Sequence, residues 1–210
     1  MWKNHKNIII LTTILTLLPI VAGLILWNQL PDQMAIHFNA ANEPDNWASK
    51  GVAVIAMPAL IAALHLVCLF ITAHDPKKQN ITGVMKTMML WICPFISWLC
   101  AALTMGYALN AVSNIGAVVC VCLGILFMVI GNYLPKCLPS YTVGIKLPWT
   151  LSDEGNWRYT HRIGGFCFMG AGLVVLVSGF VGTVWLPLAA LILAVVVPTA
   201  ASFMYYKKHA

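Results

Sequence analysis

The stretch IIILTTILTLLPIVAGLILW, residues 8–27, decides the fold. It carries no charge, and as a helix rising 1.5 Å per residue it is about 30 Å long, the thickness of the hydrocarbon core of a bilayer. Lys3 and Lys6 precede it, as basic residues precede the apolar part of a signal peptide. No small-residue cleavage site follows, so we expect the stretch to be retained as a transmembrane helix.

Five further apolar segments of similar length follow, at residues 52–72, 87–109, 115–134, 166–184 and 186–205. Of the 210 residues, 60% are hydrophobic and 9% are charged, whereas a soluble domain has about 25% charged residues. The sequence therefore predicts an all-α polytopic membrane protein, a single transmembrane domain of six transmembrane helices. Its two long loops span residues 28–51 and 135–165.

The basic residues predict the orientation. An even number of spans places both termini on one side, and eleven of the twelve lysines and arginines fall on that side, with only Lys50 on the other. Cytoplasmic loops carry an excess of Lys and Arg. We therefore expect both termini and the 135–165 loop inside, and the 28–51 loop outside. The eleven are Lys3, Lys6, Lys77, Lys78, Lys86, Lys136, Lys146, Arg158, Arg162, Lys207 and Lys208.

The outer loop combines turn-forming residues with aromatic and charged ones, which is typical of a compact, ordered loop at a membrane interface. The alternative for Trp47 and Lys50 is that they only anchor the second span at the headgroups. His37 and Asp45 lack a third ligand, so no metal site is predicted. The candidate contact residues of this loop are Asp32, His37, Phe38, Asn39, Asp45, Trp47 and Lys50.

The inner loop is longer, and its prolines and Gly144 exclude a helix before Trp149. Ser152, followed by two acidic residues, resembles a helix N-cap. We expect a short amphipathic helix from there, with its aromatic face on the membrane and its basic face toward lipid phosphates or an acidic partner. The candidate partner surface is Lys146, Pro148, Trp149, Thr150, Glu154, Trp157, Arg158, His161 and Arg162.

Catalytic chemistry is not indicated. No nucleophile with a base and an orienting group is apparent, and no phosphate-binding glycine pattern occurs. We therefore predict no enzyme activity, no catalytic residue and no cofactor. His65 is an ionisable side chain within the apolar second span. The sequence leaves its role open between a functional ligand and a simple hydrogen-bond partner.

Both loops carry motifs of a known family. The outer segment LPDQMAIHFNAANEPDNWASK, residues 30–50, resembles the N-terminal domain of SdpI-type proteins. The inner segment resembles the SdpI family itself through Gly131-Asn132, Leu134-Pro135-Lys136, Gly144-Ile145-Lys146, Pro148-Trp149-Thr150-Leu151, Glu154, Trp157 and Thr160-His161-Arg162. The resemblance implies a bacterial plasma-membrane protein that protects its cell from a secreted membrane-active toxin peptide. It also implies a signalling role, in which a soluble repressor is held at the membrane.

The resemblance thus implies two partners besides membrane lipids: the toxin peptide outside and a small helix-turn-helix repressor inside. Direct binding of nucleic acid is not expected, because no basic cluster is dense enough to follow a phosphate backbone. The alternative function is a transporter or lipid-handling protein for amphipathic peptides. The lack of charged residues in the middle of the spans disfavours that alternative.

Overall fold

Six apolar helices dominate the computed structural model, which describes residues 6–81, 83–183 and 185–209. Within those residues, six helices are long and apolar enough to cross a membrane, which confirms the prediction of six spans. Lys3 lies outside the described residues. The six are Lys6–Ile25, Val52–Ala73, Gly83–Ala108, Ile115–Lys136, Glu154–Val181 and Trp185–His209.

The secondary structure adds a β-hairpin to these helices. In chain order the elements are α1 (Lys6–Ile25), β1 (Gln33–Phe38), β2 (Pro44–Ser49), α2 (Met57–Ala73, after a π-helical turn Val52–Ala56), α3 (Gly83–Ala108), α4 (Ile115–Tyr133), α5 (Pro148–Ser152), α6 (Glu154–Val181) and α7 (Trp185–His209). The strands were not predicted. They lie in the loop that the sequence analysis expected to be compact and ordered.

The chain forms two compact units. The first comprises the described residues of Met1–His74 and Lys86–Ile115, and the second those of Asp75–Met85 and Gly116–Ala210. Each unit therefore has its own helices and its own polar segment. We call residues 30–51 of the first unit the hairpin segment, and residues 135–153 of the second unit the connector.

The first unit packs its hairpin onto helix ends. Met34 of β1 is fully buried in a cluster that also holds Val54 and Met105. Gly23 of α1 allows this packing, because a Cβ there would overlap the Val54 side chain. Burial of Met34 against the π-helical turn Val52–Ala56 and α3 holds the hairpin, since an isolated two-stranded hairpin is only marginally stable in water.

The second unit brings α4 and α6 into backbone contact. A Cβ on Gly124 would lie 2.7 Å from the Gly172 carbonyl oxygen, and one on Gly131 would lie 2.7 Å from that of Gly165. Small residues at such positions let membrane helices approach closely, so that packing replaces the hydrophobic effect that lipid cannot supply.

Helix α6 differs from its prediction in two respects. The expected amphipathic helix and the fifth span form one continuous helix, Glu154–Val181, which Gly164 and Gly165 do not interrupt. Its N-cap is Asp153, not Ser152, since the Asp153 carboxylate accepts a 2.7 Å hydrogen bond from the Gly155 N–H. Ser152 instead ends α5.

Candidate functional site: an exposed hairpin and a buried connector

In the hairpin segment the side chains of β2 are mostly exposed, whereas β1 contains the buried residues Met34 and Ala35. β1 and β2 pair antiparallel, with Met34 opposite Ala48 and Ala35 opposite Trp47. Irregular pairing follows toward the turn, where Asn39 Oδ1 accepts hydrogen bonds from the N–H groups of Ala41 and Glu43. The Asn39 side chain therefore shapes the turn, which agrees with its location in the candidate loop but gives it a structural role.

His37 and Asp45 form a surface ion pair across the hairpin. His37 Nδ1 lies 2.5 Å from Asp45 Oδ1, and the two side chains are 67% and 41% exposed. Exposed pairs of this kind contribute only about 0–1 kcal/mol to stability. Among the described residues no group of three potential metal ligands occurs. The pair is thus a polar feature of the surface that a partner can reach.

Lys50 was predicted as a contact residue, but its ammonium group is engaged in hydrogen bonds within the protein. Its Nζ donates to the carbonyl oxygens of Trp27 and Leu30, at 3.2 and 3.0 Å, and pairs with Asp32 at 3.2 Å. The side chain is only 14% exposed and lies over the Trp27 ring. These carbonyls follow the end of α1, where no intrahelical donor is available. Lys50 therefore caps a helix terminus and offers little surface to a partner.

The exposed part of the hairpin segment is aromatic and acidic. Trp47 is 50% exposed, and the Asp32 side chain is 97% exposed. Phe38 is half-buried and packs edge-on against Tyr107, with 4.8 Å between ring centroids. Of the predicted contact residues, the structure therefore leaves Asp32, His37, Asn39, Asp45 and Trp47 accessible.

The connector buries its aromatic motif. Trp157 of α6 is fully buried, its Nε1–H donates to the Cys137 carbonyl at 2.7 Å, and its ring stacks on His161 at 4.0 Å. His161 Nδ1 lies 2.8 Å from the Trp157 carbonyl, and its Nε2 accepts the Ile145 N–H at 2.9 Å. Both nitrogens are satisfied, so His161 is a neutral imidazole with its proton on Nδ1. The prediction that these residues form a partner surface is wrong.

Gly144 makes this packing feasible. Its φ is +113°, and a Cβ there would lie 2.5 Å from His161 Nε2 and 2.8 Å from Trp157 Cζ2. Only glycine combines that backbone conformation with that approach.

The short helix α5 is fastened by hydrogen bonds. Thr150 is fully buried, and its hydroxyl lies 3.0 Å from the carbonyl oxygens of Ile145 and Leu147 while it accepts the Leu147 N–H at 2.9 Å. Trp149 Nε1–H donates to Ser202 Oγ of α7 at 2.7 Å. Pro148 lies in the first turn, where a missing N–H costs nothing. Thr150 and Trp149 therefore dock the connector and do not form a free surface.

Asp75 is a structural residue that the sequence analysis missed. It is 3% exposed, and its Oδ2 accepts hydrogen bonds from the Tyr141 N–H at 2.9 Å and the Thr142 hydroxyl at 2.7 Å. Its Oδ1 accepts the Lys77 N–H at 2.7 Å. The sequence feature that could have indicated this role is that Asp75 is the only carboxylate in the basic stretch Ala73–Lys86.

Cys137 is the buried thiol of this region. It is 5% exposed, and burial raises its pKa to about 11. The thiol form therefore prevails at neutral pH, and the thiolate that a nucleophile requires is scarce.

Four charged residues of the predicted partner surface remain exposed: Lys146, Glu154, Arg158 and Arg162. Within the described residues the ion pairs are those of the hairpin segment, so Glu154 and Arg158 do not form one despite their spacing. The exposed surface of this region thus combines these charges with the partly exposed rings of Tyr141 and Tyr159.

Six apolar helices, one exposed hairpin and a connector that covers Trp157 and His161 define a polytopic α-helical membrane protein. The sequence model of the SdpI/YfhL protein family matches residues 136–202, and that of a domain of unknown function, DUF1648, matches residues 14–62. The chain is 28% identical over 207 residues to the immunity protein SdpI of Bacillus subtilis, covering 97% of each chain. No solved structure matches it. The chain thus resembles the SdpI family over nearly its whole length, and it is a multi-pass protein of the bacterial plasma membrane.

Proposed function

We propose that this chain is an immunity protein, which protects the cell carrying it from a secreted membrane-active toxin peptide through contact with the hairpin segment. Full-length similarity to an immunity protein supports the role. We choose the hairpin segment as the contact surface because Trp47, Asp32, His37 and Asp45 are exposed on it. Aromatic anchors contribute a large share of binding energy at interfaces.

The proposal requires the hairpin segment to face the outside. The distribution of Lys and Arg supports this orientation. Lys50 caps the end of α1 and pairs with Asp32, while the other basic residues lie in segments that the even number of spans assigns to the opposite side. Single cysteines at positions 42, 146 and 208, in a background without native cysteines, test it. An impermeant maleimide added to intact cells should label position 42 alone, and labelling at 208 would contradict the orientation.

Protection is tested with variants of exposed hairpin residues. We expect Trp47→Ala and His37→Ala to weaken survival of a sensitive strain challenged with the toxin, at unchanged protein level. Lys50→Ala is the contrasting variant, since it removes a helix cap and should lower protein level as well. Wild-type protection by both exposed-residue variants would show that the hairpin segment is only a structural cover.

We further propose that Lys146, Arg158 and Arg162 contact an acidic soluble partner, such as a repressor, on the inner side. Their exposure supports this, and loss of one charge-assisted contact lowers affinity by about one to two orders of magnitude. Lys146→Ala or Arg158→Ala should abolish induction of a reporter while constitutively expressed protein still protects. Proportional loss of both outputs would contradict two separate sites.

The transporter alternative makes a different prediction. A receptor binds peptide in a fixed ratio, whereas a transporter accumulates it. Energised inverted vesicles that accumulate toxin peptide beyond the amount of protein present would support transport and contradict the immunity receptor proposed above.

A further inference from the structure

The free edge of β2 is an exposed polypeptide edge with unpaired backbone groups. In the described part of the chain the sheet has two strands, and the side chains of β1 at Met34 and Ala35 are buried at 0% and 1% exposure. Along β2, by contrast, Asp45, Asn46, Trp47 and Ser49 are exposed. One strand thus holds the hairpin on the helices, and the other faces solvent along its outer edge.

The register identifies the groups on that edge. The Lys50 N–H donates to the Asp32 carbonyl at 2.9 Å, and Gln33 pairs with Ser49 in the next position. In an antiparallel pair, hydrogen-bonded and non-hydrogen-bonded positions alternate. Ser49 and Trp47 are therefore at non-hydrogen-bonded positions. Their N–H groups and the Trp47 carbonyl point away from β1, so two donors and one acceptor are open to a further strand. The Ser49 carbonyl lies at the start of the helix that begins at Lys50.

This part of the edge lacks the usual protection. Proteins guard free edges with proline, charge or bulges. Here Pro44 and the irregular pairing both lie toward the turn. The stretch from Trp47 to Ser49 has neither proline nor charge, and it is therefore the accessible part of the edge.

The charges around the edge select the partner. Asp32 is 97% exposed and Asp45 is 41% exposed, whereas the nearby cation Lys50 is 14% exposed and already bonded to Trp27 and Leu30. A strand added here meets an acidic surface with an aromatic side chain on it. A cationic, extended segment complements that surface, because backbone bonds supply affinity and side chains supply selectivity in strand addition.

We infer that the hairpin segment binds its peptide by strand addition, with a cationic stretch of the toxin pairing as a third strand along Trp47–Ser49 of β2. This inference rests on the proposed function and specifies how the same surface recognises its partner.

Backbone methylation of a probe peptide tests the pairing. The probe is a synthetic peptide of alternating lysine and valine, about eight residues long, titrated against the protein in nanodiscs. An added strand uses only every second N–H for one edge. N-methylation of one alternate set should weaken binding about tenfold or more, and methylation of the other set should leave it unchanged. Equal loss with both sets, or with neither, would overturn strand addition.

Ser49 offers a matched pair of protein variants. Ser49→Pro removes an N–H that points away from β1, so the hairpin keeps its own bonds, while Ser49→Ala removes only the hydroxyl. We expect Ser49→Pro to weaken probe binding about three- to tenfold and Ser49→Ala to match the wild type. If Ser49→Pro unfolds, slower amide exchange at Trp47 and Ser49 of the wild type with the probe bound replaces this readout, and unchanged exchange overturns the inference.

The two proposals fail in different ways. Loss of protection in Trp47→Ala, together with full probe binding by Ser49→Pro, would overturn strand addition and retain the immunity surface. Full protection by Trp47→Ala would overturn the immunity surface itself.

Discussion

The hairpin segment and the region of the connector both contain tryptophan and histidine but place these side chains in opposite ways. In the hairpin segment Trp47 is 50% exposed, whereas Trp157, which packs against the connector, is fully buried and hydrogen-bonded. His37 lies on the surface, while His161 has both nitrogens occupied inside the protein. The same two residue types therefore lie on the surface in one region and fill the interior in the other.

The connector needs its buried residues because its backbone cannot form regular structure. Pro139 and Gly144 prevent a helix before α5, yet each buried N–H and C=O there still requires a partner. Trp157, His161, Thr150 and Asp75 provide these partners. The hairpin segment meets the same need through strand pairing, which leaves its side chains available for contact.

The largest expected effect separates the two tryptophans. Trp157→Ala removes a buried ring and leaves the Cys137 carbonyl without its donor, which should cost about 3–5 kcal/mol of unfolding free energy. Trp47→Ala should change that free energy by less than about 0.5 kcal/mol, as surface substitutions usually do. Thermal unfolding of both purified variants measures the difference. Equal losses of unfolding free energy in the two variants would contradict the claim that Trp47 is exposed and Trp157 is part of the packed interior.

A smaller effect is expected at Asp75. Asp75→Asn replaces a carboxylate oxygen by a donor group and should cost about 2–3 kcal/mol, because bonds to charged acceptors are lost at the Tyr141 and Thr142 donors. Asp153→Asn is the matched control, since asparagine caps a helix as well as aspartate does. Comparable unfolding temperatures for the two variants would show that Asp75 does not fasten the connector.

The smallest effect compares two buried histidines. His65 Nε2 lies 3.1 Å from Thr12 Oγ1, but its Nδ1 has no partner among the described residues. His65→Leu removes that unsatisfied atom and should be nearly neutral. His161→Leu leaves the Ile145 N–H without an acceptor and should cost about 1–3 kcal/mol. A larger loss for His65→Leu, measured in the same unfolding assay, would point to an undetected role for His65.

The six spans could be predicted from sequence because hydrophobic length is a local property. The hairpin could not, since Met34 and Ala35 are adjacent yet both buried, which contradicts the alternation expected of a strand with one exposed face. Asp75 was missed because its partners Tyr141 and Thr142 lie 66 and 67 positions away. The predicted surface at Trp157 and His161 was wrong because a helical pattern shows which residues share a face but not whether a loop covers that face.

Site-specific crosslinking to the toxin peptide tests the central claim most directly. A photo-crosslinking amino acid at position 47 is compared with one at position 141, because Trp47 and Tyr141 are 50% and 49% exposed. The two probes are thus matched in side-chain exposure but lie in loops expected on opposite sides of the membrane. With toxin added to intact cells, we expect a crosslinked product at 47 and none at 141. A product at 141 without one at 47 would contradict the claim that the hairpin segment is the surface that meets the toxin.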